Sequence, residues 1–532
     1  MASTVRNILW NALFAVSLIA GAVVALRVLI GPIHTPIQVL TPLNPEGWLG
    51  VCLAVLLAMN SSEEDRKPEL LLRQFPWARV VSLVAIVGLA TAAYFRSLNF
   101  YFLSDDFILV KQAHEFRWAW LVLVTPGGDG FFRPVGSASL AVTAMLAGAS
   151  PLVWHAAALA IHVTNAILVF FLAARLRVTK LAAFFAAALF AIHGTGPEVA
   201  SWIAGRFDLM ATFFTLAGLI FFDSWRAAKP SKTWLVVGAL ISMVLAILSK
   251  ESAYVFPAVL MLLLLAKGEL SRDTVLSLAP FFVTAACLFA YRLWLFNGIG
   301  GYKDSQSGIP QALILGPSTL KALFVRLWMG LFFPINWSVE PSGWLIIGSM
   351  LAYIGALLWM ASSRPHRWRF TFALGFVIIS AIPPLQLLNI GAELANSRVL
   401  YLPSVGFSLM LAIALDGLKE QIRWGFVSLV LVFNLATLEH NLDSWKYVSA
   451  RAMLTAAAAA NCVGPGTLPV TSHTGIPPRL RGVPFFANGL QESIELFWNG
   501  VPATGAFAQQ NPAVPVWNST TQSVDCVTVK SP

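Results

Sequence analysis

The chain has 532 residues, of which 58% are apolar and only 11% charged, a usage remote from soluble domains and typical of polytopic membrane proteins. The core such a chain can build is a helix bundle in lipid. A net charge of +10 would point a soluble protein toward nucleic acid, but here Lys and Arg fall mostly in short loops between apolar runs, where they read as an orientation signal. With no Gly-rich phosphate loop, zinc-ligand spacing or basic helix with interleaved aromatics, nucleic-acid binding is unsupported.

A span needs roughly 20 apolar residues, somewhat fewer where its ends snorkel. The first runs of that kind are Ile8 to Ile30, Trp48 to Met59 and Trp77 to Leu98. The first has one preceding basic residue, Arg6, and no small-residue cleavage pattern, so it reads as a retained helix. Between the second and third lies a loop with Arg66, Lys67, Arg73 and Arg79, which places that loop in the cytoplasm and the next one, residues 99–135, outside.

The same charge test orders the rest. Gly136 to Ala149 is too short to cross and is expected at the outer face; Leu152 to Ala173 is a full span. Further spans are expected at about Leu181 to His193, Ser201 to Phe222, Leu235 to Leu248, Ala253 to Ala266, Val275 to Phe296, Trp344 to Ala361, Phe370 to Leu388, Leu400 to Leu415 and Trp424 to Leu438, with Leu320 to Phe333 a second outer-face helix. The expected fold is an all-α polytopic bundle of about 13 spans with juxtamembrane outer helices and a small external C-terminal tail. Three parts follow: 1–76, two additional helices and a cytoplasmic loop; 77–442, the core; and 443–532, the tail. Cys52 and Cys287 lie in apolar runs, whereas Cys462 and Cys526 both fall in the tail and are the candidate disulfide if it faces an oxidising compartment.

In this topology the notable polar residues collect on the external side. Asp105 and Asp106 stand just past a membrane exit, where carboxylates are costly unless solvated, paired or used. They read either as a helix N-cap or as a general base with a neighbour that binds acceptor or metal. Arg133, Arg206, Lys250 and Arg398 are candidate ligands for a phosphate at the interface. Internal pairing is the alternative: Arg206 with Asp208 or Glu198, Lys250 with Glu251, and Arg398 with Glu393. His155 and His162 share one helix face and read as hydrogen-bonded packing residues. His193, before the GTGPE turn, is the better site candidate.

Several segments taken in order carry a resemblance. They are the Asp105-Asp106 pair, FRPV followed by GASPLVWHAAALAIHVTNAIL, then FAIHGTGPEVASWIAGRFDLMATFF, SKESAYVFP and SRVLYLPSVGFSLML. Over roughly Trp77 to Leu442 the chain resembles the membrane part of the transmembrane and tetratricopeptide-repeat O-mannosyltransferases, and more broadly the GT-C fold glycosyltransferases that use polyprenyl-phosphate sugars. The resemblance implies a lipid-phosphate sugar donor, an acceptor hydroxyl and inversion by single displacement. It makes Asp105 or Asp106 the catalytic carboxylate and carries over His193, Glu198, Arg206, Asp208, Lys250, Glu251, Arg398 and Tyr401 as residues of the site. The chain differs from that family in having no tetratricopeptide period, in two helices ahead of the core, and in His193-Gly194 where the family has His-Pro.

The expected function is a membrane glycosyltransferase that moves mannose or another hexose from a polyprenyl-phosphate donor to a protein, lipid or glycan acceptor. The site faces away from the cytoplasm, with a bacterial inner membrane as the expected location. No cofactor is required by the motifs and a divalent metal is left open. A secondary transporter or lipid flippase is the alternative class; it calls for internal repeats and midspan charges, which this sequence lacks. An inactive GT-C-like scaffold is the other.

Overall fold

The computed structural model describes residues 76–115, 130–228, 232–302, 321–336, 367–388, 390–418, 420–463, 475–498 and 513–528, with the single positions 230, 316 and 319. The expected spans at residues 8–30, 48–59 and 344–361 lie outside them. The first described helix, α1 (Pro76–Tyr94), ends in a 3-10 turn (Phe95–Asn99), and the chain then enters α2 (Asp105–Glu115). Next come α3 (Pro134–Ala147), α4 (Pro151–Arg175), α5 (Lys180–Ala191) and α6 (Arg206–Ala227). They are followed by α7 (Thr233–Ile247), α8 (Phe256–Lys267) and α9 (Arg272–Phe296). A π-helical turn (Ala322–Arg326) leads into α10 (Leu327–Phe332), and the remaining core helices are α11 (Arg367–Ala381), α12 (Tyr401–Asp416) and α13 (Glu420–Val463).

Among the described residues six helices are long and apolar enough to cross a membrane, and five further apolar helices are shorter. The protein is an integral, multi-pass, mostly helical membrane protein. Helices form here because a backbone in lipid must satisfy its own hydrogen bonds. Pro supplies the first turn of α3, α4 and α8, where no N–H is needed, and Ser271 and Thr274 form a capping box at the start of α9.

α12 lies at the centre, with 94% of its apolar window buried against protein. A Cβ on its Gly406 would sit 2.8 Å from the Ala373 carbonyl of α11, so the two helices approach at backbone distance, as small residues permit in membranes. α9 is at the opposite extreme, only 17% buried. It presents Val283, Leu276 and Trp294 outward, a face that lipid solvates without cost. α3, 14 residues long, is about 21 Å from end to end and exposes Val142, Met145 and Leu146.

The basic loops assigned to the cytoplasm gather at one end. Arg175 and Lys267 both pair with Asp223, Arg226 pairs with Glu269, and Thr179 donates to Asp416. α13 departs most from expectation. The apolar run predicts a span ending near Leu438, but one helix of 44 residues continues through Val463, about 66 Å in all against the roughly 30 Å of a hydrocarbon core. Its second half, with Asp443, Lys446 and Arg451, therefore stands clear of the membrane and carries the tail.

The described tail holds the antiparallel hairpin β1 (Arg479–Leu480) and β2 (Val483–Pro484), helix α14 (Leu490–Trp498), and the antiparallel hairpin β3 (Ala513–Asn518) and β4 (Ser523–Thr528). Arg481 and Gly482, both with positive φ, form the two-residue loop of the first hairpin, the conformation that matches strand twist. Cys462 near the end of α13 and Cys526 in β4 are joined by a disulfide.

Candidate active site

Asp105 and Asp106 open α2, and the fold gives them unlike environments. The Asp106 side chain is wholly buried. Its Oδ2 accepts from the Leu103 backbone N–H at 3.1 Å and its Oδ1 from that of Ala204 at 3.0 Å. The carboxyl thus ties the segment entering α2 to the turn that precedes α6. Burial pushes its pKa well above the usual carboxylate range, with the backbone donors pulling the other way. Asp105 is half-exposed. Its Oδ1 accepts from the Asn488 side-chain amide at 2.8 Å and lies 3.5 Å from Ser104 Oγ.

Trp202 joins this loop to the second part of the site. Its indole N–H donates to the Leu103 carbonyl at 3.2 Å, and the Arg398 guanidinium stands over its ring, 4.9 Å from the centroid. Among the described residues that guanidinium makes no ion pair. Its placement comes from Glu198, a buried residue whose carboxylate accepts from the Asn396 N–H at 3.1 Å, Ser397 Oγ at 3.0 Å and the Arg398 N–H at 2.9 Å. Asn396, at φ 69°, makes the left-handed turn that aims these donors at one acceptor. Arg479 of the tail hairpin reaches the same turn, 3.8 Å from Glu198 and 3.0 Å from Asn396 Oδ1.

Lys250 and Glu251 follow α7. Lys250 Nζ lies 2.5 Å from both Asp208 oxygens, and Glu251 receives Arg133 at 2.8 Å and Arg292 at 3.1 Å. Arg133 also packs over Phe131 and Phe207; a Cβ on Gly136 would overlap the Phe207 ring at 2.3 Å, so the glycine after FRPV admits it. Burial lowers the Lys250 pKa to about 8, Asp208 opposing this and the Arg133 and Arg398 charges adding to it. Arg133 and Arg398 thus each lie within electrostatic reach of Lys250. Burial alone would raise Glu251, but Arg133 and Arg292 outweigh it and hold the carboxyl below its ordinary range.

Asp105, Arg133, Glu198, Asp208, Lys250, Glu251 and Arg398 are thus brought to one end of the bundle. Three other candidates are engaged elsewhere. Arg206 is buried and donates to Ser139, Thr143 and the Trp154 carbonyl, fastening α3 and α4 to α6. His193 is bonded to Thr195 and the Leu331 carbonyl, and the Tyr401 hydroxyl to His162 and Asn165. The charge pairs also differ from the neighbours anticipated in sequence: Lys250 takes Asp208, and Glu251 takes two arginines. Among the described residues no three His, Cys, Asp or Glu side chains converge as a metal site.

Sequence reasoning missed Arg292, Trp202, Arg479 and Asn488. Arg292 carried a usable signal, a lone arginine inside an apolar run. Asn488 and Arg479 carried none, since their site partners Asp105 and Asn396 lie 383 and 83 positions away.

No protein-family model matches the chain. Over 190 residues, 33% of the chain, it is 27% identical to the Protein O-mannosyl-transferase Tmtc1 of Drosophila melanogaster, and the match covers 21% of that protein. Among solved structures it is similar to ArnT from Cupriavidus metallidurans, crystallised with undecaprenyl phosphate, at 15% identity and a TM-score of 0.43 over 79% of this chain and 88% of that one. The sequence similarity, confined to 190 residues, is to a member of the family that the motifs resemble.

Proposed function

We propose that the protein transfers a hexose, with mannose the first choice, from a polyprenyl phosphate to an acceptor hydroxyl on the non-cytoplasmic face of its membrane, which in a bacterium is the periplasmic face of the inner membrane. One observation carries the reading: Arg398, a cation without an ion pair among the described residues, stacks on Trp202, whose N–H is bonded to the loop that bears Asp105. An anion-binding group and an accessible carboxylate thereby belong to one assembly.

Asp105 is the base in this scheme. Both Asp106 oxygens are occupied by backbone donors, whereas Asp105 Oδ2 accepts no hydrogen bond among the described residues. The acceptor oxygen attacks the anomeric carbon, its proton passes to Asp105, and the bond from that carbon to the phosphate oxygen breaks with inversion. The polyprenyl phosphate leaves carrying the electron pair, its charge met by Arg398, with Lys250 and Arg133 adding to the local potential. Asp208 and Glu251 keep those two cations placed and partly neutralised before the donor arrives.

The side of the membrane is supported twice. The basic loops gather at the opposite end of the bundle, and the tail beside Asp105 carries a disulfide, which persists in oxidising compartments. The test is turnover of labelled polyprenyl phosphomannose in sealed membranes of known orientation. Label appears in acceptors on the non-cytoplasmic side if the proposal holds; binding of donor without transfer by any preparation would favour a scaffold.

A further inference from the structure

We propose that the C-terminal tail forms a wall of the active site and that Asn488 is a positioning residue that orients the Asp105 carboxylate. The inference rests on the role given to Asp105 above and deepens it. Five observations meet at this contact. The Asn488 amide donates to Asp105 Oδ1 at 2.8 Å, and Ser104, at φ 48°, donates its backbone N–H to the Phe485 carbonyl at 2.9 Å. A Cβ on Gly489, at φ 82°, would stand 2.5 Å from the Ser104 carbonyl, so the tail approaches the catalytic loop at a distance only glycine allows. Phe486 stacks on Phe107 of α2 at 5.6 Å with the rings 4° from parallel. Lys111, further along α2, pairs with Glu495 of α14 at 2.6 Å.

These contacts do different work. The aromatic stack and the glycine contact seat the tail, and any shape-preserving residue at 488 would leave them intact. The amide bond acts on the carboxylate itself: by occupying Oδ1 it fixes the side-chain torsion and leaves Oδ2 to receive the acceptor proton. The tail also reaches the phosphate side, through Arg479 on Glu198 and Asn396, so one segment of about ten residues touches both the base and the turn that holds Arg398. Phe485 packs edge-on against Trp517 of the disulfide-anchored hairpin, which connects this seat to the Cys462–Cys526 bond.

The test uses the full chain in its native membranes with labelled polyprenyl phosphomannose. Asn488→Ala removes the donor, and Asn488→Asp keeps the shape while replacing the amide donor by an acceptor. Positioning predicts a kcat lowered by about tenfold or more in both, the Asp variant no better than Ala, with KM for the donor unchanged. Wild-type kcat in Asn488→Asp overturns the role of the amide. The seat itself is read without turnover: Ser104→Cys with Asn488→Cys should crosslink under mild oxidation, and failure to do so overturns the wall. If wild type moves no hexose but the crosslink forms, the proposed function falls and the placement of the tail against Asp105 stands.

Discussion

Replacing Glu198 by alanine should separate a structural clamp from a chemical group. The Glu198 side chain is 3% exposed and accepts three hydrogen bonds, two of them from backbone N–H groups that have no other acceptor in the turn. Ser397 Oγ can rotate to another partner, but the Asn396 and Arg398 amides cannot. Each orphaned buried donor costs about 1–3 kcal/mol, and since both residues are only half-buried, the lower half of the summed range applies, about 3 kcal/mol. The turn then relaxes and Arg398 leaves Trp202, which weakens phosphate binding by the worth of a charge-assisted hydrogen bond, about 1.5–3 kcal/mol, or roughly ten- to a hundredfold in Kd. Glu198→Gln, which retains one carbonyl oxygen for two of the three donors, should show a smaller loss in both. Thermal melting of detergent-solubilised protein with and without undecaprenyl phosphate reads the two effects together. An alanine variant that melts and binds like wild type would refute the clamp, and a glutamine variant that binds normally but transfers nothing would make Glu198 part of the chemistry.

Further outcomes follow from the same geometry. Lys250 is charged in the folded protein only below about pH 8. Affinity for undecaprenyl phosphate should therefore fall as pH rises through 8, and Lys250→Arg, which stays charged, should remove that step in a titration. Because the folded value lies below the unfolded one near 10.5, the unfolded chain binds the additional proton between pH 8 and 10.5, and this group makes stability rise with pH across that window. Cys462→Ala opens a loop with a separation of 64 residues and should destabilise the tail by about 4 kcal/mol on the chain-entropy account, seen as earlier proteolysis of residues 475–528 while the bundle remains protected. Arg206→Met should lower the melting temperature by several degrees, since Ser139, Thr143 and the Trp154 carbonyl lose their shared donor; unchanged melting would show that the three acceptors are satisfied without it.

The architecture was legible where it depends on local pattern. Apolar runs located the helices, loop charge put Arg175, Lys267 and Arg226 at the same end, and Asp105 and Asp106 stood out as acids at a membrane exit. What the sequence could not resolve is set by long-range contacts. Asp105 and Asp106 are adjacent and chemically identical, and the long-range contacts that tell them apart are Ala204, 98 positions from Asp106, and Asn488, 383 positions from Asp105. The extent of α13 was hidden for another reason: hydropathy reports where lipid ends, while Asp443 to Val463 remains helical beyond it because one face packs on protein. Arg206 illustrates the opposite error. It reads as a site cation in GRFD, yet it spends all its described hydrogen bonds on neutral acceptors that hold three helices together.

In the proposed reaction Asp105, and not its neighbour, takes the acceptor proton. The most direct measurement is transfer from labelled polyprenyl phosphomannose by wild type, Asp105→Asn and Asp106→Asn, each first matched for undecaprenyl phosphate binding. Asp105→Asn should bind donor like wild type and transfer nothing measurable, whereas whatever Asp106→Asn loses in transfer it should also lose in melting temperature. Full transfer by a folded Asp105→Asn protein would contradict that role for Asp105.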